Sequence, residues 1–333
     1  MRVGRAAWSV LVLALGAAVV LVGSAGGPSA SGRDSLQTAS HRVVVRAPWG
    51  SGAGELGRRG GDESAPEGPM SFAPSPDGGV IVLDQANARV ARWDAGGTFV
   101  GSIPIGADTF QDVALGPGGE IVLMDRLALR VVRVLSPNGT PQRDITLEGD
   151  GIPEGGGTTG LFVAPDGVWV EYEHGPTVRV ADERLRPVAG RRVVPGRPWR
   201  SGAREMRGLA RPAGPHEIEV WTVDAAVGAI LSRASLAFQE PVARIVGLGA
   251  GDEGEAACAV HLLREDPARG FAVVVDRIEI VLMDGALAER RRISTEPSAE
   301  AWEQFKEFDV APDGSVWRLV ILDGGVEVRR WAP

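Results

Sequence analysis

The chain has 333 residues, 44% apolar and 23% charged, which suits a large globular core and no fibrous or disordered class. The formal net charge is −8. It becomes −10 without the first 30 residues, which hold Arg2 and Arg5 and no acid. Such a balance argues against non-specific nucleic-acid binding, which needs clustered positive charge, and the single cysteine, Cys258, excludes an intrachain disulfide.

The N-terminus reads as an export element. Arg2 and Arg5 precede an uncharged, mostly apolar run from Ala6 to Val22, and small residues follow. Residues 1–30 are therefore expected to be a signal peptide or an N-terminal membrane anchor, and 31–40 a flexible linker. The protein is then secreted or periplasmic, or tethered by an uncleaved segment.

Beyond residue 40 the sequence repeats. "FAPSPDGGVIVLD" from Phe72, "VALGPGGEIVLMD" from Val113, "LFVAPDGVWVEY" from Leu161 and "FDVAPDGSVWRLV" from Phe308 share one grammar. An apolar segment leads into Pro-Asp-Gly or Pro-Gly-Gly, and a β-rich segment follows. Proline presets φ at the start of a turn and glycine supplies the positive φ that ends it. The wide gap before Phe308 predicts two degenerate copies, assigned to Pro215 in "ARPAGPHEIEVWTVD" and Pro267 in "LLREDPARGFAVVVD". The period is then about 47 residues, the size of a four-stranded propeller blade. The last copy lacks its fourth strand, and "HRVVVRAPW" from His41 belongs to no complete copy. Because a free sheet edge exposes unpaired backbone groups, this strand is expected to complete the last blade. The expected fold is all-β: one six-bladed propeller over 41–333, closed by its N-terminal strand.

The stretch from Trp49 to Ile103 resembles the NHL-type β-propeller family. "WGSGAGELG" followed by the Asp-Gly turn, V-x-D, N-x-R-V and D-x-x-G pattern is similar to that family's repeat. The second copy keeps Asp125 and Arg130 without the asparagine. The resemblance implies a fold, and it extends to binding platforms, lyases and lactone hydrolases alike.

Candidate chemistry follows from the same frame. Asp84, Asn87 and Arg89, with Asp125 and Arg130 in the second copy, recur, and a recurring set reads as a hairpin brace. The histidines His41, His174, His216 and His261 fall at places in the repeat that cannot converge; His261 is expected on an innermost strand, and His174 and His216 at opposite blade ends. A catalytic zinc needs about three protein ligands, so no histidine site is expected. Asp112, Glu307 and Asp309 lie near the starts of innermost strands, and Lys306 and Arg207 could neutralise them. These five are the ligand or ion candidates at the channel mouth. Lactonase-like propellers imply a Glu, Asn and Asp set for a metal there, but Asn87 and Asn138 fall in turns. No cofactor is predicted, a divalent cation being the class such acids would take.

Three long segments, 148–160, 196–208 and 247–257, read as connectors on a ligand-binding face. Trp199 in the second is the loop-face binding candidate. The expected function is a non-catalytic binding or interaction module, taking a protein or small molecule through its loop-rich face and channel mouth, as a monomeric domain without nucleic acid. The competing expectation is a metal-dependent lactonase- or lyase-like enzyme sited in the channel.

Overall fold

A computed structural model describes residues 40–60, 66–200, 205–298 and 304–333. The export segment and most of the linker lie outside these residues. The described chain forms six four-stranded antiparallel sheets arranged as a propeller.

Blade one contains β2 (Ser71–Pro74), β3 (Val80–Asp84), β4 (Arg89–Trp93) and β5 (Phe99–Pro104). Blade two contains β6 (Asp112–Leu115), β7 (Ile121–Asp125), β8 (Val131–Leu135) and β9 (Pro141–Thr146). Blade three contains β10 (Thr158–Ala164), β11 (Gly167–Tyr172), β12 (Pro176–Ala181) and β13 (Val193–Pro195). Blade four contains β14 (Arg197–Trp199), β15 (Met206–Gly214), β16 (Glu217–Asp224) and β17 (Ile230–Ala237). Blade five contains β18 (Val242–Ala250), β19 (Ala256–Asp266), β20 (Ala272–Met283) and β21 (Glu289–Thr295). Blade six contains β22 (Phe308–Val310), β23 (Val316–Leu322) and β24 (Gly325–Trp331). Its fourth strand is β1 (Arg42–Pro48), in the order β1-β24-β23-β22. The first strands of neighbouring blades contact one another and line the channel.

The closing strand pairs Arg42 with Arg330 and Pro48 with Gly325. It alternates as an outer strand should. Val45 is fully buried while Arg46 reaches out to Glu327 at 2.8 Å. Since β24 starts at the second-to-third turn of its blade, Arg42 lies at the opposite end, the end that carries the first hairpin turns.

Those first turns share one hydrogen-bond pattern. Ser75 N donates to Gly79 O at 2.8 Å and Gly78 N to Ser75 O at 2.9 Å; Gly116–Glu120 and Ala311–Ser315 repeat it. Gly78, Gly119 and Gly314 sit at φ +84°, +82° and +76°, where a Cβ would be strained.

The count of six blades holds, but blades four and five differ in phase from the sequence reading. Pro215 lies between β15 and β16 and Pro267 between β19 and β20. Both therefore mark second-to-third turns. The true first turn of blade five is Gly251–Glu255, with the same paired hydrogen bonds and no proline. In blade four β14 ends at Trp199 and β15 begins at Met206, so Pro215 stands one hairpin later than a first turn. The reason is length: β19 and β20 have 11 and 12 residues, against 5 each for β3 and β4. An extended hairpin needs a strong turn at its far end, and proline marks a turn without saying which one. Segments 196–208 and 247–257 consequently hold innermost-strand residues of β14 and β18. Segment 148–160 joins blades two and three. Blade three instead passes to blade four through Gly196 alone, at φ +83°, where a Cβ would lie 2.6 Å from Gly208 O.

Five apolar clusters cement the ring. They lie between blades one and two, two and three, four and five, five and six, and six and one. The last contains Val44 and Val45 of β1 with Trp317 and Trp93.

Deleting Arg42–Pro48 is expected to lower the urea midpoint sharply and to cause self-association through the bared edge of β24. Val45→Ala alone should cost roughly 2 kcal/mol. Equilibrium unfolding with light scattering checks both.

Candidate functional site

The channel holds a cavity of about 930 Å³. Its wall is built from innermost strands and its rim from first turns, including Pro76, Pro117, Pro165, Asp252 and Pro312. Much of the wall is apolar, with Leu161, Phe162, Leu248 and Phe308 among the residues that line it.

At the other end, residues 304–307 of the connector from blade five to blade six reach across the channel to blades one and two. Phe305 N and Lys306 N both donate to Met70 O at 2.8 Å, at the entrance to blade one. The Phe305 ring lies 5.4 Å from the Arg126 guanidinium and packs against the cluster between blades two and three. Lys306, the only lysine of the chain, reaches Asp112 Oδ1 at 2.9 Å and Val113 O at 2.8 Å. The cavity is thus a cup with a floor, open towards the first turns.

Asp112 is the buried centre of that floor. Its Oδ1 accepts from Ser71 Oγ at 2.6 Å and Val113 N at 2.8 Å, besides Lys306. Its Oδ2 accepts from Leu161 N at 2.8 Å. Three blades and the connector to the sixth therefore meet on one fully buried carboxylate.

Asp309 lies on the cup wall, half-buried, and among the described residues accepts only from Val310 N at 2.8 Å. Glu307 does not line the cup. It is bound by Arg244 and by Arg318, the latter at 3.2 Å. Burial pushes its carboxyl up, but the charges of Arg318 and Arg244 outweigh this and hold it below the ordinary glutamate value. Arg207 lines the cup from β15, the second strand of its blade. It is 2% exposed, sits 4.1 Å over the Trp169 ring and donates to Glu205 at 2.9 Å. It contacts none of Asp112, Glu307 and Asp309. Of the five charged candidates, Asp112, Lys306, Asp309 and Arg207 line one cavity and Glu307 faces away.

Trp199 is not an exposed loop aromatic. It ends β14, is 5% exposed and joins the core between blades four and five. The flat contact of its ring with Gly208 explains this, since a Cβ at 208 would meet the ring at 2.1 Å. It also forms part of the cup wall.

Asp84, Asn87 and Arg89 clamp the chain that leads from β1 to β2. Asp84 accepts from Gly57 N at 2.8 Å, Asn87 Nδ2 at 2.8 Å and Arg89 Nε at 2.7 Å. Arg89 also donates to the carbonyls of Ser51, Gly52 and Glu55. The second copy is arranged differently. Asp125 accepts from Thr109 Oγ1 and from the amides of Leu127 and Ala128, while Arg130 turns to Glu148 at 3.1 Å.

The histidines stand apart. His41 packs beside Trp331, and His174 and His216 lie in second-to-third turns, at the same end of their blades. His261 is on β19, a second strand, bonded to Asp276 at 2.6 Å. Among the described residues no three His, Cys, Asp or Glu side chains gather in a metal-holding group. Cys258 is fully buried and its thiol is pushed up to about 12 by that burial, so it is inert.

Sequence reasoning did not find the seam between blades three and four. Arg197 grips Glu171 through two bonds of 2.7 and 3.0 Å and lies over Phe162. Thr159 adds a third bond to Glu171 at 3.0 Å. Burial pushes the Glu171 carboxyl up, but Arg197 and Thr159 outweigh it and leave the carboxyl below its ordinary value. An Arg-Pro-Trp string beside a valine-rich strand was the only available hint.

Solved structures similar to this chain include hydrazine synthase of Kuenenia stuttgartiensis, at 14% identity over 76% of each chain and a TM-score of 0.48. A streptogramin B lyase matches at 12% identity over 82% of this chain and 95% of its own, TM-score 0.41. U3-55K matches at 10% identity over 84% and 99%, TM-score 0.45. No family model matches the chain, and no curated protein matches it.

Two outcomes test the geometry. Asp112→Ala should cost about 3–5 kcal/mol, because it strips a buried ammonium of its counter-charge. Glu171→Gln should destabilise at pH 7, and the deficit should shrink as pH falls. A depressed folded-state pKa gives stability that is present above the unfolded glutamate pKa and lost below the folded one. Urea midpoints between pH 7 and pH 3 check the sign.

Proposed function

We propose that this chain is an exported, NHL-like propeller that works as a non-catalytic binding module, holding a small molecule in the cup at its first-turn face. The observation that carries the reading is the cup itself. Its volume suits an organic ligand, and its wall is apolar with a few fixed polar groups, the usual make-up of a small-molecule site.

Most charged groups of the cup are engaged, Asp309 excepted, and this supports binding over turnover. A general base or a metal ligand must offer a free lone pair to its partner. Asp112 is already engaged by four donors, one of them an ammonium at 2.9 Å. Glu205, another lining carboxylate, is bound by Arg192 and Arg207. Export is supported by the basic start and apolar run of the first 22 residues. A closed ring without an open central edge supports a monomeric domain.

Ala164 lines the cup at the end of β10. In a thermal-shift screen of small organic molecules, the purified protein should be stabilised by at least one compound. Ala164→Trp should abolish that shift and leave the unliganded midpoint within a few degrees. A stoichiometric divalent cation together with turnover of a lactone would overturn this reading in favour of a propeller enzyme.

A further inference from the structure

The carboxylates of the cup are not equivalent. Asp112 and Glu205 are bound by cations, and Asp166 accepts from Trp169 Nε1 at 3.0 Å. Asp252 is exposed at the rim. Asp309 alone is both set into the wall and without a side-chain partner among the described residues; its one hydrogen bond comes from the amide of the next residue.

The charged groups that face it do not settle the matter. Lys306 is committed to Asp112 and Val113 O. Arg200, half-buried on the same wall, attracts Asp309 through space but forms no ion pair with it. Asp112 repels it. Burial pushes the Asp309 carboxyl above its ordinary value despite the pull of Lys306 and Arg200. A half-buried carboxylate left without a bound cation gains from a further one. Around it the cup offers apolar surface, from Phe308 and Val310 on its own strand and from Val246 and Leu248 on β18.

Resting on the cup reading, we propose that the ligand is an apolar molecule carrying a protonated amine, and that Asp309 is the counter-ion for that amine. An ammonium is compact and has several donors, so it can seat on a single carboxylate while the apolar body covers the wall. Asp309 must be ionised to do this. Amine affinity should therefore fall as pH drops through the raised Asp309 pKa.

The test uses three matched probes: 4-phenylbutylamine, the neutral 4-phenylbutanol and 4-phenylbutyrate. By titration calorimetry at pH 8 the amine should bind at least tenfold more tightly than the alcohol. The preference should shrink as pH is lowered towards 5. Asp309→Asn should remove the preference and leave alcohol affinity unchanged. The exchange is isosteric and removes an uncompensated charge, so its unfolding midpoint should not fall. Equal binding of amine and alcohol, or a preference that survives Asp309→Asn, overturns the amine assignment and leaves the cup standing. Tighter binding of the butyrate overturns it in favour of Arg200 as anchor. Failure of all three probes to bind overturns the cup reading and this inference with it.

Discussion

One buried carboxylate organises the channel. Asp112 takes donors from Ser71 in blade one, Leu161 in blade three and Lys306 at the start of blade six, and is itself the first residue of blade two's inner strand. A buried ion pair is weak evidence for stability on its own, because desolvation offsets most of the attraction. Here its worth lies in position. Three of the four donors cannot be met by a neighbouring blade in another register, so the charge selects one arrangement of the ring. The lysine that completes it also carries the connector across the channel, and that crossing turns a through-hole into a cup.

The ring is otherwise held by apolar packing, with one exception. Five of the six blade interfaces contain an aliphatic and aromatic cluster. Between blades three and four the described contacts are instead Arg197 on Glu171, Arg207 on Trp169 and Arg192 on Glu205. Guanidinium groups suit such a seam, since they stack on aromatic faces and grip carboxylates through two bonds. Arg197 and Arg207 also line the cup. The polar seam thus brings fixed charge to the channel.

Much of the architecture was legible because its causes are local. Pro76, Pro117, Pro165 and Pro312 stand where four first turns form, and the unclaimed strand at Arg42–Pro48 closes the ring. What misled was also local. Pro215 and Pro267 belong to turns at the far ends of two lengthened hairpins, while Gly251–Glu255 makes the equivalent first turn with no proline. That phase error moved two segments to the wrong face and put Trp199 in a connector. The site was half legible. Asp112, Asp309, Lys306 and Arg207 were named from strand position, but the partners that decide their roles are distant. Asp112 meets Leu161 and Lys306 only through the closed ring, and no periodicity reveals that Glu307 is turned to Arg244 and Arg318.

The face that binds follows from these placements. In a propeller the connectors between blades usually supply the longest loops, and the sequence placed ligand binding there. In this chain the connector from blade five to blade six serves the floor instead, with Phe305 beside Arg126 and Lys306 on Asp112. Access is left at the end where short first turns stand around the mouth. Four of those turns carry a proline, and those of blades one, two, five and six are tied by paired backbone hydrogen bonds. A ligand entering there loses little to reordering of the protein, and its affinity rests on the fit of an apolar body to the wall and on whatever charge it brings to Asp309.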